Sequence, residues 1–223
     1  YYAPQHFQDN QGRNLIMAWI GSWPFMPWCR GEYDTSDLGW YGSISIPRQI
    51  NLCPDGKLRS QPILEVEQLR HTPRLYESKV IDENNPFVFE AGDGVHCEIL
   101  ATFDLSQSNA GKIGFRLRGS KDQETLLEFD LSHGEMIFDR RKSGNISAQT
   151  RRCLLESASQ SQLFVRIFMD SISVEVFTDG GRTVMTNNIF SDPLSKNLSI
   201  YTQSGYASLK SLKTYGLKSI TNE

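Results

Sequence analysis

Residues 163–177, LFVRIFMDSISVEVF, carry the clearest periodicity in the chain. Leu163, Val165 and Ile167 fall on one face, with Phe164, Arg166 and Phe168 on the other. That is the two-residue repeat of a strand. Asp170 and Ser171 interrupt it as turn residues do. Val174 and Val176 then resume the alternation against Glu175 and Phe177. Two strands joined by a tight turn follow from this stretch alone.

The same repeat extends in both directions. In GKIGFRLRG (111–119), Ile113, Phe115 and Leu117 share one face, while Arg116 and Arg118 share the other. ETLLEFDLSHGEMIFDR (124–140) reads as two strands joined at Ser132-His133-Gly134. SLKSLKTYGLKSI (208–220) places Leu209 and Leu212 three apart, a helical spacing, but Leu212, Thr214 and Gly216 alternate, and a strand is expected. Short strands at regular spacing with Gly, Asn and Asp turns argue for an all-β sandwich or propeller.

Only PILEVEQLRH (62–71) is expected to be helical, with Ile63, Val66 and Leu69 three apart. HTPRLYESKVIDENNP (71–86) holds Pro73, Pro86 and a polar cluster and reads as a linker. Two units are expected, over 1–74 and 86–223, with 75–85 between them. The first unit differs in character. NLIMAWIGSW (14–23) is a continuous apolar run, preceded by the turn sequence Asp9-Asn10-Gln11-Gly12. SISIPRQINLCPDGKLRSQP (43–62) reads as two strands joined at Pro54-Asp55-Gly56. A meander of about four strands is expected here, with a long loop over 23–42 carrying Trp23, Trp28 and Trp40.

The 223 residues are 39% hydrophobic and 22% charged, with a formal net charge of −3. That balance points to no nucleic-acid or anionic-membrane partner. No apolar run approaches the roughly 20 residues of a membrane helix, and no secretory apolar segment leads the chain. Cys29, Cys53, Cys97 and Cys153 are far apart and make no short-spaced zinc pair. Reduced thiols, and with them a cytoplasmic location, are expected. His6, His71, His96 and His133 have no metal spacing, so neither a metal nor a cofactor is expected.

Several stretches together resemble glycoside hydrolase family 32, the β-fructofuranosidases. YYAPQHFQDNQGR (1–13) is similar to the family's F-Y-A-P-Q-x-F and D-x-x-G-R segments. GWYG (39–42), Pro47-Arg48, Pro54-Asp55-Gly56-Lys57-Leu58 and PILEVEQLR (62–70) resemble the stretch that closes its catalytic domain. IFDRRKSG (137–144) matches its D-R segment. IFMDSISVEVFTDGGRTVMTNNIF (167–190) resembles its C-terminal hallmark, with Asp170, Glu175 and Phe177 on the acidic and aromatic positions. The matches run in the family's order. The resemblance implies the end of a five-bladed β-propeller followed by a β-sandwich, from an enzyme that cleaves β-fructofuranosides such as sucrose or sucrose-6-phosphate.

Cleavage with retention needs two carboxyl groups about 5–5.5 Å apart, one as nucleophile and one as acid/base. In the family these are the Asp of N-D-P-N-G and the Glu of E-C, and the Asp of R-D-P binds fructose hydroxyls. None of the three motifs is present. Asp192-Pro193-Leu194 lacks the preceding Arg, and Cys97-Glu98 is the reverse order. The expectation is a C-terminal portion, inactive by itself, with no catalytic residue in the chain. Asp170 is expected to shape a turn, and Glu175 to pair with Arg166 or Arg182. Ser171 and Ser173 lack a G-x-S-x-G setting.

The resemblance places Tyr1, Tyr2 and Trp19 at or beside the substrate pocket, where flat aromatic faces suit the apolar side of a sugar ring. Trp23, Trp28 and Trp40 are candidates for its rim. A small carbohydrate is the expected substrate, and a homodimer is a possible assembly. Two other readings stand beside this one: a non-catalytic sandwich that binds carbohydrate or mediates dimerisation, and part of a levanase or inulinase. Residues 1–74 would expose strand edges, so they are expected to lie against the sandwich or pair with another chain.

Overall fold

The computed structural model describes residues 1–21, 42–144 and 149–220. Trp23, Trp28, Trp40 and Cys29 lie outside the described residues. The described structure is all-β, as expected, with three antiparallel sheets and short 3₁₀ turns.

The first sheet holds β1 (Tyr2–Gln8), β2 (Asn14–Ile20), β3 (Ser43–Ile44), β4 (Arg48–Leu52) and β5 (Leu58–Pro62). Its order is β1-β2-β4-β5, with β3 also on β2. Both turns lie where the sequence places them. Asp9 Oδ1 accepts the amides of Gln11 and Arg13, each at 2.9 Å, and closes the first. Gly56 closes the second at φ 78°, a conformation that favours glycine. In β2, Leu15, Ala18 and Ile20 are buried and Ile16, Met17 and Trp19 are half-buried.

The helical spacing of 63–69 yields a 3₁₀ turn, Leu64–Leu69, with Val66 buried. The chain then enters β6 (Arg70–Tyr76) and β7 (Lys79–Ile81), both paired with β18 (Ala207–Leu217). The segment 75–85, expected as a linker, therefore carries the end of one sandwich strand and the whole of another. Pro73 in β6 suits an edge strand, where one side of the ladder stays in solvent. Val80 alternates with the fully buried Ile81.

The other two sheets pack face to face. One runs β13-β12-β11-β10-β17-β8, made of β8 (Phe87–Phe89), β10 (Lys112–Gly119), β11 (Glu124–Asp130), β12 (Glu135–Lys142), β13 (Thr150–Leu154) and β17 (Asn197–Gln203). The other runs β16-β15-β14-β9-β18-β6, with β9 (Cys97–Asp104), β14 (Gln162–Met169), β15 (Ser173–Thr178) and β16 (Thr183–Asn188). Leu163, Val165, Ile167, Ile99, Phe103, Ile113, Phe115 and Leu117 face each other in one continuous core. Phe115 makes edge-on contacts with Phe103 and Phe129, centroids 6.1 and 6.2 Å apart. Such pairs add to the area they bury.

A second, smaller core joins the first sheet to the sandwich. Val66, Phe168 and Phe177 are buried together, with Ile46, Ile63, Leu69 and Leu217 packed around them. The β4–β5 hairpin meets the turn at 179–182. Gly181, at φ 91°, lies so close to the Ser60 carbonyl that a Cβ there would overlap it. Asp55 and Arg182 pair across the same contact.

Candidate functional site

Tyr2 and Trp19 are opposite one another on β1 and β2. Their rings meet edge to face, centroids 6.1 Å apart at 67°. Trp19 lies over the backbone of Gly21 and Gly42, where a Cβ on either glycine would overlap the indole. Close approach of this kind is what glycine permits. Tyr2 is 48% exposed, with Trp19 packed against it.

Tyr1 is not part of that pair. Its ring lies over the Arg48 guanidinium, 4.4 Å from centroid to Cζ. The structure thus joins two of the three expected pocket aromatics and gives the third a cation–π contact. Phe177 of β15 stands 5.0 Å from the same guanidinium carbon.

Arg48 is buried, and its Nη2 donates to a Glu175 carboxylate oxygen and to Thr186 Oγ1. The other Glu175 oxygen accepts the Ile46 amide at 2.8 Å. Glu175 was expected to pair with Arg166 or Arg182. Instead the carboxylate points out of the sandwich towards β4, because the outer face of β15 is covered by the first sheet. Arg166 is taken by Glu98 at 2.6 Å, and Arg182 by Asp55. Burial pushes the Glu175 carboxyl up, while the Arg48 charge, its hydrogen bond and the Ile46 amide pull it back. The signal for Arg48 was present in the sequence as an isolated charge among Ile44, Ile46 and Ile50. Its partner, 127 residues away, was not.

Asp170 shapes the turn, as expected. Its Oδ1 accepts the Ser171 amide at 2.6 Å, and its own amide donates to the Ser173 carbonyl at 3.0 Å. Asp170 and Glu175 also line a cleft of about 680 Å³ between the first sheet and the sandwich, whose walls include Met17, Ile44, Ile46 and Phe168. The Arg48 pairing leaves Glu175 engaged, so the two do not make an acid/base pair. Glu98, of the reversed Cys-Glu motif, is fully buried between Arg70 (2.6 and 2.8 Å) and Arg166. Charges at such depth persist only when paired.

The histidines are spread apart. His6 sits beside Asn14, His71 beside Thr72, and His133 against Asp130. His96 is 2.8 Å from Asp93 and 2.9 Å from Ser171 Oγ. That row looks like a nucleophile relay, but the Ser171 amide is already occupied by the Asp170 carboxylate. A fixed negative charge there opposes the oxyanion that acyl transfer requires. Among the described residues, no three His, Cys, Asp or Glu side chains converge as metal ligands.

Residues 65–216 match the family model described as the C-terminal part of glycosyl hydrolases family 32. Residues 1–62 match that of the family's N-terminal domain. A sucrose-6-phosphate hydrolase of Zymomonas mobilis is 33% identical over 98% of the chain and 41% of its own length. A levanase of Bacillus sp. (strain L7) is 30% identical over all of the chain and 24% of its own length. The fold is similar to that of fructan 1-exohydrolase IIa from Cichorium intybus, with a TM-score of 0.81 at 17% identity, covering 97% of this chain and 48% of that one. The chain thus spans about two fifths of the length of the first of these relatives.

Proposed function

The chain belongs to glycosyl hydrolase family 32, and on that premise we propose that it is the C-terminal part of a retaining enzyme that cleaves β-fructofuranosides. The observation that carries this reading is the unbroken succession of the two family regions, 1–62 and 65–216, on a sheet docked against a sandwich. The nucleophile, the acid/base and the fructose-binding Asp then come from residues outside these 223, since N-D-P-N-G, E-C and R-D-P are all missing. What this chain contributes is wall and support. Tyr2 offers an exposed aromatic ring, and Trp19 packs against it. The sandwich holds the sheet that carries both.

Sucrose or sucrose-6-phosphate is the proposed substrate, supported by the likeness to the Zymomonas mobilis enzyme. The full-length match to a levanase keeps a fructan as the second reading. A reducing location fits Cys53, Cys97 and Cys153, which are free thiols. The test is to translate the complete reading frame and assay it on sucrose, sucrose-6-phosphate, levan and inulin. Fructose release from the first two in preference to the polymers supports the reading. Preference for levan favours the second, and release from none of the four overturns both.

A further inference from the structure

β1 is irregular near its start. Its register against β2 slips between Tyr2 and Gln5. Ala3, inside the slip, has φ 48°, a left-handed conformation unfavourable to a residue with a Cβ. The strand ladder is therefore interrupted between Tyr2 and Gln5. The side chains supply what the ladder lacks. Tyr1 rests on the Arg48 guanidinium, and that group is oriented by Glu175 and Thr186, both in the sandwich. Glu175 also takes the Ile46 amide, so it governs both the backbone leading to Arg48 and the plane of its guanidinium. With its edge held by these partners, the guanidinium presents its flat face to the ring.

We propose that Glu175 is a positioning residue: by holding Arg48 beneath Tyr1 it fixes the start of β1, and so the placing of the Tyr2–Trp19 wall. The sandwich then shapes the sugar-facing surface directly. This rests on the reading of Tyr2 and Trp19 as sugar-facing residues.

Glu175→Gln keeps the shape and an acceptor oxygen but removes the charge. In the 223-residue chain, carbon–proton NMR of labelled tyrosine and tryptophan reads the wall, with Tyr1→Phe assigning the Tyr1 signal. The Tyr1, Tyr2 and Trp19 signals are expected to shift while Tyr201, on the far sheet, stays. Arg48→Lys keeps the charge but loses the flat face, and is expected to shift the same three signals. Unmoved signals in whichever variant folds overturn the proposal. In the polypeptide from the complete reading frame, Glu175→Gln is expected to raise KM for sucrose about five- to tenfold with kcat within about twofold, the pattern of lost binding rather than lost chemistry. An unchanged KM in an active, less stable variant overturns the proposal, since it leaves Glu175 only a stabilising part. If the wild-type polypeptide cleaves no fructoside, the functional reading fails by itself, and positioning is decided by the NMR shifts.

Discussion

Arg48 of the first sheet and Glu175 of the sandwich are paired across the seam between the two, with 5% and 4% of their side chains exposed. Their depth makes the pair asymmetric in its energetics. Removing one partner strands a buried charge, at about 3–5 kcal/mol, whereas replacing both by apolar groups is often far milder. Arg48→Met and Glu175→Met are each expected to destabilise by that amount. The double variant is expected to lose less than the sum, measured by urea unfolding.

The centre of the sandwich is set by Phe115, fully buried between Phe103 and Phe129. Phe115→Ala is expected to cost about 3–5 kcal/mol through lost transfer energy and a residual cavity. Leu194→Ala, at a side chain 83% exposed, is expected to stay within about 0.5 kcal/mol. Thermal or urea unfolding of the two variants compares them directly.

Asp93 gives the chain an acid-sensitive turn. Burial draws its carboxyl up, but hydrogen bonds from the His96 ring and from the His96 and Val95 amides hold it down to about 2. A carboxyl whose folded pKa lies below its ordinary 3.8 stabilises the fold fully above that value. That stability is lost as pH falls towards 2. Asp93→Asn is expected to be less stable than wild type at pH 7 and to converge with it by about pH 2. Urea midpoints across that range test it. Equal loss in both proteins would show that Asp93 does not set the acid sensitivity.

Among the described residues, the outer edge of β1 has no strand partner. All seven of its residues are exposed, including Tyr2 and Phe7. Unpaired apolar edges invite edge-to-edge association. The isolated chain is expected to self-associate with rising concentration, and Phe7→Lys to reduce this. Light scattering of both proteins measures it.

Local periodicity made the sandwich legible. Leu163, Val165 and Ile167 are all fully buried, as their alternation implied. The three-residue spacing of Leu209 and Leu212 is explained by a register slip between Leu209 and Ser211, which returns both to the core face. Phe168 was assigned to the outer face and is nonetheless buried, because the 3₁₀ turn at 64–69 covers it. No pattern within a strand reports what packs on its back. The same limit hid Arg48 from Glu175 and Arg166 from Glu98. The contact between Tyr2 and Trp19 was not legible: the family motif named both residues, but their meeting depends on the cross-strand register of β1 and β2.

The decisive measurement is glucose release from sucrose by the purified 223-residue chain, beside the polypeptide from the complete reading frame under the same conditions. Hydrolysis by the complete polypeptide and none by the chain is expected, since Glu175 and Glu98 are buried in ion pairs and Asp170 closes a turn. Glucose release by the chain itself, abolished by a substitution within these 223 residues, would contradict it.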